Sequence, residues 1–294
     1  MKPAPFEYYR PETVDEALGL LAEHGSGAKL LAGGQSLVPT MNFRLAQPAV
    51  LIDLNALAEL EHIEPDGDAL RIGAMTRQRQ VERSALVAER APLLHEAVPF
   101  IGHPQIRNRG TIGGSIAHAD PAAELPVVML ARRARLHVRN RRDARSIPVD
   151  EFFTGLFATA LGPEEILVDI ELPAVPPSTG WAFDEVARRH GDFALVGAAA
   201  VVTLDDSGRC RDVRLVFSSV GDGPVLAHEA ARQLEGEIPD DAAVRAAAGA
   251  AAERDVDPPS DIHASAAYRR QLVRVIGTRV LARAVERARN GSVS

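Results

Sequence analysis

Two double-glycine loops constrain this chain more than any other feature: Ala32-Gly33-Gly34-Gln35-Ser36 and Thr111-Ile112-Gly113-Gly114-Ser115. Each joins two flexible backbone positions to a side-chain hydroxyl. Glycine admits positive φ and close approach, so successive amides can converge on an anionic oxygen. Two such loops in one domain-sized stretch suggest a pyrophosphate gripped from both sides, and hence a dinucleotide. No G-x-G-x-x-G stands at a strand–helix junction, so a Rossmann fold is not indicated.

The surrounding pattern falls into three blocks, 1–57, 58–177 and 178–294. In the first, Thr13-Val14-Asp15-Glu16 has the form of a capping box, and Val14, Ala17, Leu18 and Leu21 give one apolar helical face that Gly25 ends. Ala28–Ala32 reads as a buried strand entering the first loop, and Val50–Asp53 as a second strand. In the middle block, Ala69–Ala74 alternates as a strand and Val81–His95 predicts a helix, after which Pro104 introduces the second loop. Arg139, Arg141, Arg142 and Arg145 lie between two short apolar runs, and read better as a solvated hairpin than as a polyanion site. Glu165–Leu172 alternates with period two and predicts a half-exposed strand. Pro173, Pro176 and Pro177 mark a boundary. The last block predicts strands at Ala198–Leu204 and Val213–Val220 and helices at Asp240–Arg254 and Ala266–Arg289. It carries no glycine loop and reads as support and interface.

Composition excludes several classes. Thirty-three basic against 40 acidic side chains leave a net charge of −7, which argues against a general nucleic-acid binder. No stretch approaches the roughly twenty uninterrupted apolar residues of a membrane helix, and Met1–Phe6 lacks the apolar run of a secretory signal. Cys210 is the only cysteine, so the chain cannot by itself ligate an iron–sulfur cluster through four thiolates. The expected setting is cytoplasmic, with any metal centre in a partner. His118 and Asp120 form no recognisable metal site, and His118 reads as structural. Ser36 and Ser115 lack a paired His and Asp, which favours hydrogen bonding to phosphate over nucleophilic catalysis.

These motifs resemble the FAD-binding medium subunit of the molybdenum hydroxylases, the family of aerobic carbon monoxide dehydrogenase and xanthine dehydrogenase. Further matches are Ala117-His118-Ala119-Asp120-Pro121-Ala122-Ala123-Glu124, the stretch Phe183–Ala194 with Arg188-Arg189-His190-Gly191-Asp192-Phe193, and Asp261-Ile262-His263-Ala264-Ser265. The resemblance spans essentially the whole chain. It implies an α+β fold: an FAD-binding domain of the vanillyl-alcohol-oxidase (PCMH) type in two subdomains, 1–57 and 58–177. An α/β C-terminal domain of the CO dehydrogenase flavoprotein type follows, at 178–294.

It also implies a site. Lys29, Leu30, Leu31, Ala32, Gly33, Gly34, Gln35, Ser36 and Leu37 would line adenosine and pyrophosphate of a non-covalent FAD, with the Gly33–Ser36 amides on the phosphates. Thr111 and Gly114 would grip from the opposite side, alongside Gly113, Ser115 and Ala117. Glu124 would hydrogen-bond the ribose, Ile101 and Leu167 would sit near the isoalloxazine, and Phe193 would cover one ring face or serve as core. Many relatives have Asn at position 115, Asp at 124 and some a Lys at 184, where this chain has Ser115, Glu124 and Asp184. Asp184 would make the flavin surroundings less positive. The implied function is an oxidoreductase subunit that takes electrons from the [2Fe–2S] clusters of a small subunit, in a dimer of heterotrimers with a molybdenum-cofactor large subunit. It would pass them to an external acceptor, with no catalytic side chain or metal of its own. A self-sufficient FAD-dependent oxidase or reductase would use the same loops, and would show a substrate pocket over the flavin and turnover without partners.

Overall fold

Capping sets both ends of the first helix, α1 (Val14–His24), in the computed structural model, which describes residues 2–291. Thr13 Oγ1 accepts from Glu16 N at 3.2 Å. The Glu16 carboxylate reaches back past Thr13 and accepts from Glu12 N at 2.8 Å. Gly25, at φ 51°, turns the chain out of the helix. The face of Val14, Ala17, Leu18 and Leu21 packs with apolar residues of a small sheet. That sheet comprises β1 (Glu7–Tyr9), β2 (Ala28–Leu31) and β3 (Val50–Asp53), with β3 central and all pairs parallel. The short β1 lies outside the strands expected from the sequence. Between β2 and β3, the first glycine loop leads into α2 (Leu37–Asn42).

The middle region opens with β4 (Ile63–Asp66) and β5 (Ala69–Gly73). Where the sequence predicts one helix over Val81–His95, three short ones stand: α3 (Gln78–Arg83), α4 (Ala85–Arg90) and α5 (Pro92–Ala97). The breaks are local. Ser84 Oγ accepts from Val87 N at 3.3 Å and so starts α4 afresh. Pro92, which has no amide hydrogen to continue a helix, opens α5. Next come α6 (Pro104–Arg107), α7 (Ile112–His118) and α8 (Glu124–Ala131), then the hairpin β6 (Arg135–Arg139) and β7 (Ala144–Pro148). A small hairpin of β8 (Phe153–Gly155) and β9 (Ala158–Thr159) precedes β10 (Ile166–Leu172). The main sheet is antiparallel with order β4-β5-β10-β6-β7.

The basic tract is the expected hairpin, with Arg139 paired to Asp15 at 2.6 Å and Arg145 to Glu165 at 2.8 Å. The expectation of a half-exposed β10 is corrected. Ile166, Leu167, Asp169, Ile170 and Leu172 are all buried, because β10 is the central strand. Leu167, Ile170 and Leu172 enter the main core, while buried Asp169 lies beneath Arg71 and His137.

The last region is an antiparallel sheet of β11 (Thr179–Ala187), β12 (Ala194–Leu204), β13 (Cys210–Ser218) and β14 (Val225–Leu226), with α9 (His228–Leu234), α10 (Asp241–Ala250) and α11 (Ala266–Arg289). Residues 194–204 are buried without exception, because α11 covers one face of β12 and α8 the other. Phe183, Ala199, Val201 and Val216 accordingly join the core of the middle region. Glu96 of α5 accepts from Phe183 N at 3.1 Å and pairs with Arg287 of α11. The N-terminus of α8 thus sits at the joint between two sheets.

Candidate functional site

The two glycine loops meet along one seam. Gly34 has φ 72°, a conformation that disfavours any side chain. Gly33 is packed against the backbone that leads into the second loop: a Cβ there would stand 2.4 Å from Arg109 O and 2.8 Å from Gly110 Cα. From the other side, a Cβ on Gly114 would stand 3.3 Å from Ala32 Cβ.

The loops differ in where their amides go. Among the described residues, the amides of Gly33, Gly34, Gln35 and Ser36 have no acceptor. The loop is braced through its other atoms, with Gln35 Nε2 on Gly33 O at 3.0 Å and Val38 N on Gly34 O at 3.1 Å. In the second loop the amides are spent internally. Ile112 N donates to Thr76 O at 3.0 Å and Gly113 N to Ala74 O at 2.9 Å. Thr111 caps α7, its Oγ1 accepting from Gly114 N at 3.1 Å. Backbone donors seek partners, so four unspent amides in a row form a ready seat for an anion. This donor set suits a pyrophosphate; of the second loop, Thr111 and Gly113 are buried while Gly114 and Ser115 are partly exposed.

Burial separates the other candidates. Lys29 and Ala117 are exposed, while Leu30, Leu31, Leu37 and Ser115 are partly buried. Leu167 is buried on β10, which is tied to the second loop through Ala74: Ala74 N donates to Val168 O at 2.9 Å. Ile101 is buried, and the turn after it adjoins the β11–β12 loop. A Cβ on Gly191 would stand 2.5 Å from the His103 ring, and the His103 and His190 rings are 5.9 Å apart. Phe193, on that same loop, is 68% exposed and therefore is not core. The His118 ring rests 5.2 Å from that of Phe157.

Glu124 begins α8 and is buried. Burial, followed by repulsion from Asp120, lifts its carboxyl to about 7, against the pull of its own amide. A second acid, Glu185 on β11, escaped the sequence reading. Burial lifts it to about 8, with further repulsion from Glu124 and Asp184, and its Oε2 has no partner among the described residues. Asp184 Oδ1 accepts from Glu185 N at 3.0 Å and lies near Arg279, at 4.0 Å. Sequence reasoning also passed over Asn55 and Arg77, which lie at the seam itself. Among the described residues no acid, histidine or cysteine cluster suited to a metal is present, and no helix is long and apolar enough to cross a membrane.

Comparisons with known proteins bear on what this site holds. The family described as the FAD binding domain in molybdopterin dehydrogenase matches residues 4–175, and the CO dehydrogenase flavoprotein C-terminal domain matches residues 181–284. The chain is 43% identical over 289 residues to the 6-hydroxypseudooxynicotine dehydrogenase complex subunit alpha of Paenarthrobacter nicotinovorans, covering 98% of this chain and 97% of that one. It is 40% identical over 269 residues to the carbon monoxide dehydrogenase medium chain of Hydrogenophaga pseudoflava, covering 92% and 93%. A solved structure of carbon monoxide dehydrogenase from that organism, lacking the Mo-pyranopterin moiety, superposes with a TM-score of 0.94 at 40% identity, covering 98% of this chain and 99% of that one.

Proposed function

Because the chain belongs to the FAD-binding medium subunits of the molybdenum hydroxylases, an oxidoreductase family with FAD as cofactor, we propose that it is the electron-transfer subunit of a larger enzyme. It takes electrons from the [2Fe–2S] clusters of a small partner and passes them to an external acceptor. A large subunit with the molybdenum cofactor oxidises the substrate, and the assembly is a cytoplasmic dimer of heterotrimers. The lone Cys210 agrees with clusters held elsewhere.

FAD supplies the redox chemistry, since a flavin can exchange electrons singly or in pairs. The chain's own work is to hold and orient it. The amides of Gly33, Gly34, Gln35 and Ser36 take the pyrophosphate oxygens, while Thr111, Gly113, Gly114 and Ser115 wall the opposite side. Lys29, Leu30, Leu31, Ala32 and Leu37 line the adenosine end, with Ala117 at the rim. Glu124 accepts from a ribose hydroxyl, and Ile101, Leu167 and Phe193 border the ring system. No side chain acts as acid, base or nucleophile on substrate. The three blocks 1–57, 58–177 and 178–294 divide this work between two walls of the cradle and a supporting sheet.

The observation that carries the site is the row of unspent amides beside the second loop. The test is an absorbance spectrum after incubation with FAD and desalting, then after heat release, followed by co-purification with the neighbouring large and small subunits. Flavin bands that survive desalting and leave on heating are expected, together with recovery of the heterotrimer. Substrate turnover by the isolated chain would instead favour the self-sufficient flavoprotein. A chain that takes up no flavin, alone or assembled, would refute the site.

A further inference from the structure

We propose that Arg77 and Asn55 form a strut that fixes the gap between the two glycine loops and so positions the pyrophosphate seat, a role that rests on reading those loops as the FAD cradle. The strut is a continuous chain of hydrogen bonds. On one side, Asn55 Nδ2 donates to Ala32 O, the carbonyl just before Gly33, at 3.0 Å. Asn55 Oδ1 accepts from one terminal nitrogen of Arg77, and the other terminal nitrogen donates to Arg109 O. That last carbonyl is the atom against which Gly33 is packed. The two ends of the strut are therefore the carbonyls bracketing the seam.

Both members are held from behind. Arg77 N donates to Gln80 Oε1 at 2.8 Å, and Gln80 Nε2 donates to Glu61 Oε1 at 2.8 Å. Arg77 also pairs with Thr111 in an isolated antiparallel bridge, and Gln78 N donates to Gly110 O at 2.9 Å. Asn55 N donates to Asp53 Oδ1 at 2.9 Å, and the Tyr8 hydroxyl donates to the other oxygen of that carboxylate. A spacer with this backing cannot slide without breaking bonds at several elements. A guanidinium carries diverging donors on a rigid plane at the end of a long side chain and stays charged, which is why an arginine suits the position.

Charge adds a second reason. Burial, then repulsion from Arg109, lowers the Arg77 pKa, while Glu61 and Asp53 act in the opposite sense. Two guanidinium groups thus repel each other beside the seam, and an anion seated there relieves that repulsion.

The experiment measures FAD affinity of the full chain by flavin fluorescence for wild type, Arg77→Met, Asn55→Ala, the double variant and Arg77→Lys, with the melting temperature of each FAD-free protein. With the spacing of the seat no longer fixed, each single variant should weaken FAD about ten- to hundredfold, or about 1.4–2.7 kcal/mol. The double variant should be no worse than the weaker single one, because the strut fails as a unit. Lysine, which keeps the charge and reaches one of the two acceptors, should recover part of the loss. Single variants that fold and hold FAD as wild type does would overturn the strut and leave the cradle standing. Losses that multiply in the double variant would also overturn it. A wild-type chain that takes up no FAD, alone or with its partner subunits, would overturn the cradle beneath it.

Discussion

Replacing Gly33 by alanine tests the seam with a single methyl group. The new Cβ would stand 2.4 Å from Arg109 O, 2.8 Å from Gly110 Cα and 3.0 Å from Arg109 C. Ordinary non-bonded contact to carbon lies near 3.5 Å, so the loops would have to part by about 1 Å. All three obstacles are backbone, so no flexible side chain can yield. Overpacking of this kind costs about 1–3 kcal/mol. Because the same movement displaces the unspent amides from the second loop, FAD affinity should fall about five- to hundredfold, by the same conversion of free energy to affinity. Urea unfolding of the FAD-free chain and a fluorescence titration with FAD give the two numbers. Gly27→Ala is the control, since its Cβ would meet nothing nearer than Ala49 Cβ at 3.9 Å; it should bind FAD as wild type does. A Gly33→Ala protein with undiminished FAD affinity would refute the idea that the seam's spacing matters.

Three further outcomes are expected. Glu124 and Glu185 are lifted from 4.5 to about 7 and about 8, so the folded chain holds protons that the unfolded one has released. Their contribution to stability is full below pH 4.5 and is lost as pH rises through about 7 and then about 8. For Glu124 the loss is at most about 3 kcal/mol; urea unfolding from pH 5 to 9 should flatten in the Glu124→Gln, Glu185→Gln double variant, and equal slopes would discard the assignment. Asp184→Asn removes a negative charge that Arg279 only partly offsets, so redox titration should show the bound flavin more easily reduced; an unshifted midpoint removes Asp184 from the electrostatics. Burial pushes the Cys210 thiol up to about 11, so a thiol reagent should label it only after unfolding; labelling of native protein at neutral pH would contradict its burial.

The sequence displayed the loops because their requirement is met by one residue type alone. Gly33 and Gly34 need close approach and positive φ, and no other residue type supplies both. Helix α11 was readable locally, since its N-cap, Ser265, stands just before a long run of helix-forming residues. Other features depend on distant partners. The destination of the Gly113 amide is Ala74, in the turn after β5 and far off in the chain, so the unequal roles of the two loops had no sequence signal. Asn55 and Arg77 belong to no periodic pattern and acquire meaning only when β2, the turn after β3 and the start of α3 converge. Glu185 reads in β11 like any polar strand residue, and only the fold brings its partly buried carboxyl close to Glu124. For Phe193 the sequence left core and ring cover open, and its exposure had to be seen.

Helix α8 carries a consequence for how this protein can change. All of its residues, Glu124 through Ala131, are buried, and it touches α5 and α7 on one side and β12 and β13 on the other. It therefore belongs equally to both halves of the chain. Exchanging the C-terminal half with that of a relative at the proline-rich join would cut no element, yet it would place a foreign sheet against Val127, Val128 and Met129. Such a graft is a core substitution in disguise, and Glu124 would shift with the helix that bears it. Divergence in the distal sheet is thus felt at the candidate site, so the two halves have to drift in step, side chain against side chain.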